Sequence, residues 1–194
     1  MTQYGFYFDA ENCIGCHTCQ VACKQANRLE TGENYRTVKS YCGGTGWDLF
    51  MYHVSMACNH CANPACMNAC ATGAIYKSAE DGLVLIDRTK CNGCGSCAQA
   101  CPYGAIAMIA EDGLADKCDG CRSLRAQGEQ PACVASCPQR VLEFGDIEEL
   151  RAAHSSEGLV SEASATPGAA QTNPNLVMRI KQCMTDPSFE PYMI

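Results

Sequence analysis

Sixteen of the 18 cysteines in this sequence fall into four quartets. The first and third quartets have the spacing C-x2-C-x2-C-x3-C, the second has C-x2-C-x4-C-x3-C, and the fourth has eleven residues between its second and third cysteines. The members are Cys13, Cys16, Cys19 and Cys23; Cys58, Cys61, Cys66 and Cys70; Cys91, Cys94, Cys97 and Cys101; and Cys118, Cys121, Cys133 and Cys137. Three cysteines at intervals of three followed by a fourth is the spacing that ligates [4Fe–4S] cubes through thiolates. Because such a cube gains and loses one electron at a time, the pattern indicates electron transfer.

Within a quartet, the first three cysteines and the fourth have different roles. Three closely spaced cysteines wrap a loop around one cube and aim backbone N–H groups at its sulfur atoms. The fourth is expected one turn into the following helix, pointing away from its own loop, so that it ligates the other cube of a pair. Pro102 and Pro138 directly follow two of these fourth cysteines, where a proline ends a helix.

Zinc and disulfides are the alternative uses of these cysteines. Zinc sites usually pair two short knuckles separated by a dozen or more residues, and only the fourth quartet has roughly that form. A secreted disulfide scaffold is disfavoured because residues 1–10 have no signal-peptide features and the cysteines lie in tight blocks. Cys42 and Cys183 lie outside the quartets and are predicted to be free, buried thiols. His17 and His60 lie inside cysteine loops, but a Rieske site needs histidine in place of cysteine. We therefore interpret them as spacers that shield or hydrogen-bond a cluster.

The segments around the quartets repeat, which indicates the elements that position the cysteines. The sequence Ala-Glu-Asp-Gly-Leu occurs at residues 79–83 and again at residues 110–114. Asp-Gly between apolar stretches predicts a tight hairpin turn. The repeating unit is predicted to be a strand, a cysteine loop, a short helix carrying the fourth cysteine, a second strand and a tight turn. This order is that of a duplicated bacterial ferredoxin.

Charge and motifs exclude several functions. The formal net charge is −7, and each oxidised cube with four thiolates adds roughly two further negative charges, so nucleic acid is not an expected partner. No apolar run reaches membrane-spanning length, so no direct membrane span is predicted. There is no Gly-rich phosphate loop, nucleophile elbow or acid/base pair, so no catalytic residue is predicted. Basic residues near the later quartets are either solvated surface charge, an offset to cluster charge or a docking site for an acidic partner. They are Lys77, Arg88, Lys90, Lys117, Arg122, Arg125 and Arg140.

The four quartets in this order, with the long gap in the fourth, resemble the iron–sulfur electron-transfer subunits of the molybdopterin oxidoreductase (dimethyl sulfoxide reductase) family. The resemblance begins in residues 2–6, continues through residues 142–151 and reaches residues 173–177. It therefore covers nearly the whole chain, and it is specific for the family but not for a substrate.

The resemblance implies an α+β fold of two nested bacterial-ferredoxin-like domains with an extended C-terminal tail. Residues 1–51 and 115–150 would form the outer domain, residues 52–114 the inserted domain, and residues 151–194 a linker and a partner-binding tail. The linker, residues 151–168, is expected to be poorly structured, and the tail to be an extended arm on a partner or disordered. The implied ligand sets for four [4Fe–4S] clusters are Cys13, Cys16, Cys19 and Cys137; Cys23, Cys118, Cys121 and Cys133; Cys58, Cys61, Cys66 and Cys101; and Cys70, Cys91, Cys94 and Cys97. The long gap around Trp47 is expected to be an ordered excursion that covers a cluster or meets a partner.

By this resemblance, the chain is a non-catalytic subunit that relays single electrons. Its partners would be a bis-molybdopterin catalytic subunit and either a quinol-oxidising membrane anchor or a soluble donor. Clusters would be assembled in the cytoplasm, and the final site would be cytoplasmic, membrane-associated or reached by export with a twin-arginine partner. Two alternatives keep the clusters: a free-standing polyferredoxin, and an electron-transfer subunit of a hydrogenase or formate dehydrogenase.

Overall fold

The main sheet has the first strand of the chain at its centre. The computed structural model describes residues 2–44, 47, 49–185 and 192–193, and it places β1 (Tyr4–Asp9) between β8 (Leu142–Asp146) and β9 (Leu176–Arg179). β8 runs antiparallel to β1 and β9 runs parallel to it. Side chains alternate between the two faces of a strand, so Phe6 and Phe8 enter the main core while Tyr7 packs with Val177 on the other face. Both faces of the sheet are therefore covered.

A second sheet contains the excursion predicted for the long gap between the first two quartets. It consists of β2 (Thr37–Gly43), β3 (Phe50–Met56) and β10 (Tyr192–Met193), with β2 in the middle. Trp47 lies at the end of the β2–β3 hairpin and is fully exposed. Its neighbours at 45, 46 and 48 are outside the described residues.

Two short hairpins follow the second and third quartets, as the repeated Asp-Gly turns predicted. β4 (Ile75–Lys77) pairs with β5 (Val84–Ile86), and β6 (Ile106–Met108) pairs with β7 (Ala115–Lys117). Gly82 and Gly113 close these turns with φ of 68° and 72°, the left-handed region that glycine tolerates best. The strands are short because each serves only to return the chain to the next cysteine loop.

The helices of the described residues are short, and four of them pack in two pairs. They are α1 (Thr18–Ala26), α2 (Ala65–Asn68), α3 (Ser96–Ala100), α4 (Arg122–Arg125), α5 (Ala132–Ala135) and α6 (Ile147–Ala153). α1 packs against α5, and α2 packs against α3. The helix of the first quartet thus meets that of the fourth, and the helices of the second and third quartets meet each other. Among the residues described, no helix is long and apolar enough to cross a membrane.

The C-terminal region differs from the predicted linker and arm. Residues 151–168 include the end of α6, a 3-10 turn and the backbone bridge between Val160 and Met178, and Ala163 is buried. β9 then joins the main sheet, so much of the expected arm lies on its own chain. The small side chains of this region predicted disorder, but small side chains also allow a segment to lie close against a sheet. Residues 186–191 and 194 of the expected arm lie outside the described residues.

The predicted domain limits also differ from the element limits. The limit at 51/52 falls inside β3, and the limit at 114/115 separates β6 from its partner β7. The resemblance gave these limits, whereas backbone pairing determines where a strand ends.

Candidate metal centres

The short helices carry the third cysteine of each quartet. Cys19, Cys66, Cys97 and Cys133 lie on α1, α2, α3 and α5. The fourth cysteine was predicted on the same helix, which holds only for Cys23; Cys70, Cys101 and Cys137 follow just after their helices end. α2 and α5 have four residues, one fewer than the five that include both cysteines, and the five-residue α3 begins one residue before Cys97 and so ends one residue before Cys101.

The loop before α1 depends on one glycine. Gly15 has φ of 65°, and a Cβ at this position would lie 2.4 Å from Nδ1 of His53. The left-handed turn lets the chain reverse direction from Cys13 to Cys16 so that both face the same space. Gly93 has the same position in the third quartet, with φ of 70°.

Cysteines from the first and fourth quartets border one cavity. Its lining includes Cys13, Cys16, Cys19 and Cys137. The remaining wall is largely apolar, with Phe8, Val38 and Leu142 among its residues. The structure thus brings the fourth cysteine of one quartet to the first three of another.

Cysteines from the second and third quartets border two more cavities. The lining of one includes Cys58, Cys61, Cys66 and Cys101. The lining of the other includes Cys70, Cys91, Cys94 and Cys97. Again each cavity takes three cysteines from one quartet and the fourth from the other.

The remaining four cysteines influence one another's pKa. Burial, and then the neighbouring Cys133 and Cys121, raise the pKa of Cys23 to about 12. Burial, and then Cys23 and Cys133, raise the pKa of Cys118 well above its ordinary value. The pKa of Cys121 is likewise raised first by burial and also by Cys133. Cys23, Cys118 and Cys133 are buried and Cys121 is half-buried, and their mutual effects indicate that the four thiols lie near one another.

Burial raises the pKa of two thiols that border the second cavity. Burial raises the pKa of Cys61 to about 11 and that of Cys66 to about 12. The exposed Cys16 and Cys94 differ, because hydrogen bonds from Thr18 and Ser96 lower their pKa. Thiolate is the form that ligates iron, so metal binding must displace the protons of the buried cysteines.

Buried N–H groups without partners lie beside these cysteines. Among the described residues, five buried side-chain polar atoms have no hydrogen-bond partner, and four of them are nitrogen atoms of Arg36, Asn59 and His60. Asn59 and His60 lie in the loop between Cys58 and Cys61. Because the Val84 N–H donates to Nδ1 of His60, the ring hydrogen must sit on the unpartnered Nε2. The sulfide and thiolate atoms of a cluster are acceptors for such donors, so these residues fit an iron–sulfur cube.

The basic residues have different environments. Lys117 is buried and its Nζ donates to the Val84 and Cys118 carbonyls, whereas Arg140 is exposed. Arg122 pairs with Glu80 at the surface, and Arg125 pairs with the largely buried Asp81, both at 2.8 Å. Lys77 donates to Gln3 and to the Cys61 carbonyl, while Arg88 and Lys90 pair with aspartates. The interpretation as solvated charge therefore holds for some of them but not for Lys117.

Two details of the site were not predicted correctly or at all. Cys42 and Cys183 are free but only half-buried, and neither borders the three cavities. Arg36 was missed entirely. A lone arginine in a long gap between quartets has no spacing signal that could have identified it.

The protein has the features of a class, the ferredoxin-type iron–sulfur proteins. These features are cavities lined by cysteines from two quartets, short helices and two small hairpins. Family models agree with this class: a 4Fe-4S dicluster domain matches residues 49–147 and a 4Fe-4S binding domain matches residues 4–25. The cysteines and these matches together show that the protein binds [4Fe–4S] clusters. Its mixed α/β fold with small sheets agrees with this class.

Relatives narrow the class to a family. The sequence is 46% identical over 186 residues to the probable anaerobic dimethyl sulfoxide reductase chain YnfG of Escherichia coli, covering 92% of this protein and 89% of the relative. It is 43% identical over 189 residues to the B subunit of the anaerobic dimethyl sulfoxide reductase of Haemophilus influenzae, covering 92% and 90%. It is 37% identical over 150 residues to the thiosulfate reductase electron transfer subunit PhsB of Salmonella typhi, covering 76% and 78%. This protein belongs to the family of iron–sulfur electron-transfer subunits that these relatives represent, as the quartet pattern predicted.

Proposed function

We propose that the protein holds four [4Fe–4S] clusters and relays single electrons to a molybdopterin catalytic subunit of a reductase. The observation that carries the proposal is the exchange of fourth cysteines between quartets, which brings four cysteines to each of three cavities. Each bound cluster would supply reversible one-electron transfer. The protein itself supplies ligands, apolar walls that exclude water, and buried N–H donors.

The proposed ligand sets follow that exchange. They are Cys13, Cys16, Cys19 and Cys137; Cys23, Cys118, Cys121 and Cys133; Cys58, Cys61, Cys66 and Cys101; and Cys70, Cys91, Cys94 and Cys97. The first two sets would belong to an outer ferredoxin-like domain and the last two to a domain inserted within it. The packing of α1 on α5 and of α2 on α3 supports this nested arrangement.

The names of the relatives support the choice of partner. Two are subunits of anaerobic dimethyl sulfoxide reductases and one is a subunit of a thiosulfate reductase. We therefore propose a catalytic subunit with bis-molybdopterin, and a quinol-oxidising membrane anchor or a soluble protein as the electron donor. The complex would be cytoplasmic or membrane-associated, or exported with a twin-arginine partner.

The test is to purify the complex from its native host without oxygen and to count iron, sulfide and molybdenum per copy. We expect about sixteen irons per copy and a large molybdenum-bearing partner. Sixteen irons without a stable partner would favour a free-standing polyferredoxin. About twelve irons or fewer, or stoichiometric zinc, would contradict at least one ligand set.

A cysteine variant tests the exchange directly. Cys137→Ser removes a proposed ligand of the first site, so the iron content should fall by about one to four atoms per copy. Cys183→Ser is the matched control, because Cys183 borders none of the three cavities, and its iron content should stay at the wild-type value. Equal iron in both variants would contradict the first ligand set.

A further inference from the structure

Arg36 is a buried cation between the first and fourth quartets. It precedes β2 and is 2% exposed. Its Nη1 donates to Oγ of Ser55 at 3.0 Å, and its guanidinium carbon lies 4.7 Å from the ring centre of Phe6. The side chain is thus held in place by β3 on one side and by the central strand β1 on the other.

Arg36 has no carboxylate partner among the residues that the structure describes. Among the described residues it forms no ion pair within 4.0 Å, and its Nε and Nη2 have no hydrogen-bond partner. The other partly buried arginines differ, since Arg88, Arg125 and Arg179 each contact at least one aspartate. A buried charge without a partner is strongly unfavourable, so a nearby anion is expected in the mature protein.

The largest charge effects on Arg36 come from thiols. Ser55 connects it to the first proposed site, because its Oγ lies 3.4 Å from Sγ of Cys19 and it borders the same cavity. Burial opposes the charge on Arg36, but Cys133, Cys19, Cys118 and Cys23 outweigh this effect and raise its pKa. One of these thiols belongs to the first proposed ligand set and three belong to the second.

We propose that Arg36 is the shared counter-ion of the two clusters of the outer domain and raises the reduction potential of both. This inference rests on the proposed function. Reduction adds one negative charge to a cluster, and a fixed positive charge in a buried, poorly screened site stabilises that reduced form. The two unpartnered N–H groups would donate to sulfur atoms of the clusters, which strengthens the same effect. Arg36 acts as a tuning residue and does not ligate iron.

The test is an EPR-monitored redox titration of the anaerobic complex carrying Arg36→Gln, with dithionite as the source of electrons. Iron and sulfide are counted first, and Cys137→Ser and Cys118→Ser identify the two outer signals. We expect wild-type iron content. In both clusters of the outer domain, the equilibrium between the reduced and oxidised forms should shift at least about tenfold toward the oxidised form, which equals about 59 mV for a one-electron couple. The two inserted clusters should keep their potentials. Arg140→Gln, an exposed cation three residues after Cys137, should leave all four potentials unchanged.

Each other outcome decides the proposal. Unchanged outer potentials in Arg36→Gln, or equal shifts of all four, would overturn it. If Arg36→Gln loses iron, Arg36→Lys is measured instead. Retained iron and near-wild-type potentials of the two outer clusters would support a role of the positive charge. Lost iron in Arg36→Lys would overturn the proposal in favour of a purely structural role of Arg36. Fewer than four clusters in the wild-type complex would refute the proposed function before any variant is compared.

Discussion

At the scale of a single residue, Lys117 is the one lysine or arginine besides Arg36 that is buried among the described residues. It lies at the end of β7, is 3% exposed, and borders the cavity of Cys58 and Cys66. Its ammonium group donates to the carbonyls of Val84 and Cys118, so it joins the β4–β5 hairpin to the loop of the fourth quartet.

Replacing Lys117 should therefore destabilise the junction between the β4–β5 hairpin and the loop of the fourth quartet. Lys117→Met leaves two buried carbonyls without a donor, so we expect a loss of about 2–4 kcal/mol. The measurement is the thermal midpoint of the anaerobic protein at one fixed scan rate. Lys90→Met is the control, because Lys90 is exposed and pairs with Asp87 at the surface, which is worth less than about 1 kcal/mol. Similar midpoints for the two variants would show that Lys117 is not a structural link.

His154 makes stability depend on pH. It stacks on Tyr7 at 3.6 Å, and its ring nitrogens lie 3.0 Å from Glu157 and 3.1 Å from Glu143. Burial alone would lower the pKa of His154, but the two carboxylates outweigh it and raise the pKa above its ordinary value.

The sign of this pH effect follows from the raised pKa. The stabilisation is fully present below the unfolded-state pKa of about 6.5 and is lost as the pH rises through the higher folded-state value. We expect His154→Gln to remove this part of the pH dependence, which is less than about 1 kcal/mol because the site is partly solvated. Thermal midpoints at a series of pH values from below to above neutrality measure it. If the thermal midpoint of His154→Gln changes with pH as steeply as that of the wild type, another group is responsible for the pH dependence.

At the scale of elements, β9 is a strand that the cysteine pattern did not predict. Its buried residues Val177 and Met178 pack on opposite faces of the main sheet. Met178 also exchanges backbone hydrogen bonds of 2.7 and 2.9 Å with Val160. The strand therefore fixes β1 and, through it, the wall of the first cavity.

Truncating a β9 side chain should cost core packing. Met178 is 0% exposed, so Met178→Ala is expected to lose about 2–5 kcal/mol. Met51→Ala is the matched control, since Met51 on β3 is 47% exposed and little packing is lost there. Thermal unfolding of the two variants under the same anaerobic conditions gives the comparison. Equal midpoints would indicate that β9 contributes only its backbone.

The parts that sequence could predict are local, and the parts it could not are long-range. Cysteine spacing and the Asp-Gly turns involve neighbours in the chain, so the loops, short helices and hairpins followed from them. The parallel pairing of β1 with β9 joins residues 4–9 to residues 176–179, and no local pattern specifies it. Arg36 was missed for a similar reason, because its importance comes from burial among distant cysteines. The small residues of 151–168 did not reveal that the segment packs on the sheet.

At the scale of the whole molecule, residues 172–179 connect the loop of the second quartet to the main sheet. Asn175 donates from Nδ2 to the His60 carbonyl at 2.7 Å, and Asn63 and Ala62 donate from their backbone N–H groups to the carbonyls of Thr172 and Asn173. The same segment then continues as β9 in the main sheet. The loop of the second quartet and the outer sheet are thus fixed by one continuous stretch of residues.

The position of β1 between β8 and β9 has a consequence for biosynthesis. β1 leaves the ribosome before the two strands that flank it. At 5–20 residues per second, β1 and the loop that follows it wait on the order of 10 s for their partners. Cys137, the proposed fourth ligand of the first site, emerges late in the same interval. Iron insertion at this proposed site would therefore follow the synthesis of Cys137, and the thiols of the first quartet would stay without their fourth partner until then.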